Sequence, residues 1–125
     1  MKKLLLVLSF TSVLTACGDI ESDVTSIAED YCMAIKQKDW KDAKELATSD
    51  VLRNRENMFE QNMGKYSQLF ASQNCDVTNI ESQSETYHSV YFGGSKLDSV
   101  EIEWDKRKEQ FFVVSDAFKN DLKLY

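Results

Sequence analysis

The hydrophobic period of this chain changes once. From Ile20 to Ser72 the apolar residues recur at helical spacing; beyond Ser72 they alternate as in a strand. Parallel strands need a long crossover, usually a helix, between them. A chain whose helical segments all precede its strands is therefore directed towards an antiparallel sheet. The order predicts an α+β domain, with N-terminal helices packed on one face of a curved antiparallel sheet of three to four strands.

In the helical half, Ile20, Val24, Ile27, Ala28, Tyr31 and Ile35 form one stripe opposite Glu21, Ser22, Glu29 and Lys36, which predicts a helix over 20–36. Cys32 lies about a hundred degrees from the stripe's centre, where it can face a neighbouring element. Asp39 suits an N-cap, followed by a short helix lined by Trp40, Ala43, Leu46 and Ala47. Ser49 or Asp50 caps a third helix, with Leu52, Phe59, Met63, Tyr66 and Phe70 along its stripe and Met58 and Leu69 on the flank. Arg55 and Glu56 interrupt that stripe, so its first turn is expected to be half exposed. Gly64 is expected to kink the helix or mark a close approach.

Strands are expected over 75–82, 85–92, 97–104 and 110–115. The third alternates most cleanly, with Val100, Ile102 and Trp104 on one face and Glu101 and Glu103 on the other, as in a sheet with one wet face. Gly93-Gly94 reads as a turn, and Asp105 to Glu109 as a charged one. The tail from Asp116 to Tyr125 is expected to add a helical turn.

The N-terminus has a separate logic. Met1-Lys2-Lys3 is basic, and Leu4 to Val13 is apolar except for Ser and Thr. That run is short of the roughly 20 residues a bilayer span needs. Leu14-Thr15-Ala16-Cys17 follows directly. These residues resemble the lipobox of bacterial lipoproteins, the alternative being an ordinary signal peptide followed by an incidental cysteine. The resemblance implies a signal peptide over 1–16 and a thioether-linked diacylglycerol on Cys17, usually with a further fatty-acyl chain such as palmitate on its amine. Residues 17–19 would then be a short tether and 20–125 the folded domain. It implies attachment to the bacterial envelope, and Gly18 after the cysteine favours the outer membrane, facing the periplasm, over the inner one.

Export also bears on the other cysteines. With Cys17 set aside, Cys32 and Cys75 are an even pair in a compartment where disulfides persist. A Cys32–Cys75 disulfide is expected, with two buried thiols as the alternative. The chain holds 15 Lys+Arg against 21 Asp+Glu, a formal charge of −6, and loss of Lys2 and Lys3 with the leader makes the mature part more acidic. An acidic balance argues against nucleic acid, whose partners present clustered cations.

The mature region resembles the nuclear-transport-factor-2-like, or cystatin-like, cone fold, including exported lumazine-binding-like domains of unknown function. The resemblance is carried by Ala28 to Tyr31 with Ile35, by Lys38-Asp39-Trp40 with Ala43, by a sheet that starts at Cys75, and by Phe111-Phe112-Val113-Val114. Gln110-Phe111-Phe112 stands where the family usually has Trp-Lys-Val. The fold implies a cavity behind the sheet, with Tyr31, Tyr66, Tyr91, Trp104 and Phe112 as candidate lining residues. Isomerases of this fold use an Asp base with a Tyr and an acidic donor in an apolar pocket. No Asp or Glu is expected on the apolar face of the later strands here. His88 is a lone histidine, expected as a core or edge residue of a strand and not as a metal ligand. No catalytic residue, metal or cofactor is expected. Two functions remain: a non-catalytic envelope lipoprotein that binds a small ligand or protein, and an immunity-type lipoprotein that neutralises a periplasmic toxin by docking.

Overall fold

The computed structural model describes residues 2–93 and 96–119, with side chains described from Asp19 onward. The side chains of the leader and of Cys17, and with them the expected lipid attachment, lie outside what is described. Helix α1 (Lys2–Gln37) buries the expected stripe: Val24, Ala28, Tyr31 and Ile35 are fully buried and Ile20 and Ile27 partly so, and Cys32, off the stripe's centre, is fully buried as well. Its end is built by two backbone bonds. Lys38 N–H donates to Ile35 O (3.4 Å) and Asp39 N–H to Ala34 O (2.8 Å), with Lys38 in the left-handed region at φ 61°. Asp39 then starts α2 (Trp40–Lys44), its Oδ1 accepting from Asp42 N at 3.2 Å.

The third predicted helix is two helices. α3 (Ser49–Gln61) and α4 (Met63–Ala71) meet at Asn62, whose Oδ1 accepts from Lys65 N at 3.0 Å. A short amide side chain that bonds the backbone competes with the helical ladder, and here it caps a new helix instead. The break lies two residues before Gly64, which is not the kink. A Cβ on Gly64 would meet only Asn62 Oδ1, at 3.8 Å, so the residue marks no close approach either. The break also turns Met63 outward, 60% exposed, although the helical spacing had placed it on the stripe.

The strands are β1 (Val77–Ser84), β2 (Tyr87–Phe92), β3 (Leu97–Asp105) and β4 (Gln110–Phe118). They form an antiparallel meander in the order β1-β2-β3-β4. Residues 116–118 continue β4 and do not begin a helical turn, because they pair with Leu97 to Val100 of β3. A register shift opposite Glu101 and Ile102 leaves Val114 unpaired and reverses the alternation of β4 beyond it. Ala47, between α2 and α3, forms a single parallel bridge to Val113, with Val113 N donating to Leu46 O (2.8 Å) and Thr48 N to Val113 O (3.0 Å).

Helices cover the inner face of the sheet; on the other, Phe112 at the hairpin end is buried beside Leu52 of α3. Val90, Leu97, Val100, Ile102 and Val113 are fully buried on that inner face, against α1 and the aromatic side chains of α3 and α4. Cys32 on α1 is bonded to Cys75, just before β1, with Cα atoms 5.6 Å apart and a sequence separation of 43. The two lie within the Cα separation that a bridge requires. The α+β class is therefore as the change of period predicts, and Cys32 and Cys75 are paired as the cysteine count leads one to expect.

Candidate functional site

Two of the five candidate cavity residues are part of the packed core. Tyr31 and Tyr66 are both fully buried. Tyr66 lies edge-on to Phe59 and tilted against Phe70, and its hydroxyl donates to Ile35 O at 2.7 Å. Burial pushes its phenol well above the ordinary range. A buried tyrosine hydroxyl needs a partner, and for Tyr31 that partner is Asp116, whose Oδ2 accepts at 2.8 Å. Burial first, and the Asp116 charge second, raise the Tyr31 phenol as well.

Asp116 is the acidic residue that the alternation of the sequence does not place. The unpaired Val114 turns it inward, level with Val100, and its side chain is 6% exposed. Arg55 of α3 approaches it from the helical side, Nε to Oδ2 at 3.2 Å, and is itself only 13% exposed. Arg55 was expected at a half-exposed interruption; it points into the domain. Its Nε–H is not aligned on the carboxylate, so the contact is an ion pair without a hydrogen bond at that atom. Nη1 donates to Met58 Sδ at 2.8 Å, and the guanidinium lies 4.5 Å from the centre of the Phe118 ring. Burial raises the Asp116 carboxyl above its ordinary 3.8, against the lowering effects of Arg55 and of the Tyr31 hydroxyl. The carboxylate is thus engaged by an ion pair and a phenol, with Phe118 and Met58 around the guanidinium.

Trp104 and Phe112 lie at the opposite end of β3 and β4. Trp104 packs edge-on to Phe111, at 5.1 Å between ring centres. Phe112 sits across the strand from Glu103, on the other face of the sheet from Phe111, and Lys108 Nζ stands 4.9 Å from its ring centre. Phe112, Leu52 and Ala47 floor an open groove of about 490 Å³ between α3 and the β3–β4 hairpin. Its rim carries Lys44, Arg53 and Lys108 together with Glu56, Glu60 and Asp105. A smaller hollow of about 430 Å³ brings Phe112 and Trp104 together beside Thr48.

Tyr91 is on the uncovered face of the sheet. The register aligns Asn79, Tyr91, Ser99 and Ala117 in one row there, and Glu81, Ser89, Glu101 and Ser115 in the next, with Tyr87 and Glu103 beyond. Tyr87 OH donates to Glu101 Oε2 at 2.6 Å, and Tyr91 OH to Glu81 Oε2 at 3.4 Å. The bond to Glu101, with desolvation and the nearby charges, pushes Tyr87 up to about 12. Glu81 does the same to Tyr91 in direction, helped by Asp98 and Glu101. A depression of about 160 Å³ lies over Ser89, Ser99, Glu101 and Ser115, edged by Tyr91. The five candidate lining residues therefore do not share one space: two are in the core, two at the hairpin, one on the outer face.

His88 is 3% exposed on the inner face of β2. Its Nε2–H donates to Glu85 O at 3.0 Å, which leaves Nδ1 to accept from Ser82 Oγ at 2.7 Å. Both ring nitrogens are engaged within the protein. Among the described residues no group of three or more His, Cys, Asp or Glu is placed to hold a metal ion. No helix among them is long and apolar enough to cross a membrane. The chain matches no protein-family model, no curated protein and no solved structure, so the geometry above stands alone as the basis for a functional reading.

Proposed function

We propose that the chain is a membrane-anchored, non-catalytic envelope lipoprotein that acts by binding a partner on its surface, a protein in preference to a small ligand. The observation that carries the preference is the filled inner face. Tyr31, Tyr66, Phe70, Leu97 and Val100 are each no more than 1% exposed. Side chains thus occupy the space where a cone-fold domain similar to the nuclear-transport-factor-2-like group would hold a ligand. Recognition then falls to uncovered surfaces, the sheet face among them, while the mixed-charge groove beside Phe112 is the place for a small ligand. Attachment would come from acyl chains on Cys17, with the domain held close to the outer membrane on its periplasmic side.

The test is lipidation of the full chain expressed in a bacterial host fed an alkyne-tagged palmitate. The expected result is a labelled N-terminal peptide that starts at Cys17 and a membrane-bound product, with Cys17→Ser accumulating as the unlabelled precursor. A freely soluble, unmodified product cleaved elsewhere overturns the anchor. The immunity-type alternative is favoured by one observation, the acid excess on the uncovered sheet face. In that reading, co-expression protects the host from a basic toxin exported to the periplasm.

A further inference from the structure

We propose that the uncovered face of the sheet is a docking surface for a positively charged protein surface, with Glu101 at its centre between Tyr87 and Tyr91. This rests on the reading of the chain as a binding protein and names the partner's chemistry and the place it docks.

The helices pack against the inner face, so apart from Phe112 at the hairpin end, which is buried beside Thr48 and Leu52, the outward side chains of β1 to β4 have no second layer of this chain over them. An antiparallel sheet can leave one face in water, and a face with no recognition role is usually dressed with cations and anions together. Here the paired residues of the outward rows carry Glu81, Glu101 and Glu103 and no Lys or Arg; the cations nearest the face, Lys106, Arg107 and Lys108, stand at its hairpin end beside Glu103 and Phe112. Asp98 adds a fourth acid close enough to act on Tyr91.

The relief of the face is as one-sided as its charge. Ser89, Ser99, Ser115 and Ala117 are small, and they make a trough with Glu101 in it and tyrosine rings to either side. Tyr87 holds the Glu101 carboxylate at 2.6 Å, which fixes one oxygen and presents the other. Tyrosine and serine together suit a contact surface, since tyrosine offers rigid area at small entropic cost and serine adaptable hydrogen bonds. A guanidinium or ammonium entering the trough meets a held carboxylate and the face or edge of an aromatic ring, the two groups that most favour it.

Charge also excludes other occupants. Two copies of this face would set Glu81, Glu101 and Glu103 against their own kind, so a symmetric dimer through it is repelled. An anionic lipid surface is repelled for the same reason. A basic protein surface remains, and opposite-charge attraction would steer it to this face.

The experiment uses the full lipidated chain in non-ionic detergent micelles, ¹⁵N-labelled, titrated with an octa-arginine peptide and, separately, an octa-glutamate peptide at low salt. The expected result is saturable shift changes concentrated at Ser89, Tyr91, Ser99, Glu101 and Ser115 with octa-arginine alone, fading as salt is raised. Glu101→Gln/Glu103→Gln removes two charges with little change of shape. It should weaken binding by roughly three- to tenfold, the strength of two exposed charge pairs. Asp30→Asn/Asp42→Asn removes two charges from a separate hollow that Asp30, Met33, Asp42 and Leu46 line between α1 and α2, and should weaken binding less than twofold; retained shift dispersion shows both variants folded. Equal weakening by the two variants, or shifts centred on Asp30 and Asp42, overturns the proposal, as does concentration-dependent self-association through the sheet face. The same sample separates the two readings. Absence of lipid mass on Cys17 removes the anchor and leaves the docking face standing, whereas absence of localised shifts on a lipidated chain removes the face alone.

Discussion

Replacing Asp116 with alanine deprives two side chains of their partner at once. It leaves the Arg55 guanidinium, 13% exposed, without its counter-ion, and it leaves the fully buried Tyr31 hydroxyl without its 2.8 Å acceptor. Breaking a buried ion pair from one side costs about 3–5 kcal/mol, and an orphaned buried hydroxyl about 1–3 kcal/mol. The two are not additive, because relief of the buried carboxylate's own desolvation offsets part of the loss. The misaligned Nε–H also makes the pair less than ideal. The lower end of the first range is the better expectation, about 3 kcal/mol, a fall of roughly 12–24 °C in Tm for a domain of this size. Arg55→Met/Asp116→Asn removes both charges and keeps an amide oxygen for Tyr31. It should lie within about 1–2 kcal/mol of the wild type, since apolar replacement of a buried pair is often close to neutral. Equilibrium urea unfolding, followed by Trp40 and Trp104 fluorescence with m-values compared, measures both. An Asp116→Ala cost below about 1 kcal/mol would refute the reasoning. So would a double variant as unstable as the sum of Arg55→Met and Asp116→Asn, since contact predicts coupling.

The same carboxylate has a pH signature. Burial raises its folded-state value above the ordinary 3.8, so between the two values the folded state holds more protons, and Asp116's contribution to stability is lost as pH rises through the folded value. Wild type should therefore gain stability relative to Asp116→Asn on acidification across that window; a relative loss would mean the carboxyl is lowered. Reducing the Cys32–Cys75 bond frees a loop of 43 residues' separation, worth about 4 kcal/mol in the chain-entropy model. Unfolding with and without dithiothreitol should show most of that difference, and a change under about 1 kcal/mol contradicts it. At the α3–α4 break, Asn62→Ala should cost about 1 kcal/mol through loss of the Lys65 cap. Gly64→Ala should stabilise by up to about 1 kcal/mol, because its Cβ meets only ordinary contact. Thermal unfolding with the opposite order of effects would place the break at Gly64 after all.

What the sequence made legible follows from what period can encode. The α1 stripe, the order of helices before strands and the alternation of Val100, Ile102 and Trp104 each depend on burial of one face of a regular element, and those survive in the structure. The cysteine pair was legible because chain chemistry left two candidates. The α3–α4 break was not, because Asn62 acts through one side-chain bond to Lys65 N, and that leaves no trace in hydrophobic spacing.

Asp116 shows the limit most clearly. Read without interruption, the alternation from Phe111 and Val113 places Ser115 inward and Asp116 outward. One unpaired residue, Val114, reverses them. A bulge costs one residue of register and flips every side chain after it, and nothing in Val113-Val114-Ser115-Asp116 announces it. A signal did exist at one remove. Tyr31 lies on the apolar stripe of α1, and a buried phenol requires an acceptor that the stripe itself lacks. Phe118, two residues beyond Asp116, asks for the inner face, and a strand that buries Phe118 must turn Asp116 the same way. An acid forced inward in turn requires a cation from a helix, which is what the charged interruption of the α3 stripe at Arg55 supplies. Tyr31, Arg55 and Asp116 each break their local pattern, and the three exceptions explain one another only when taken together.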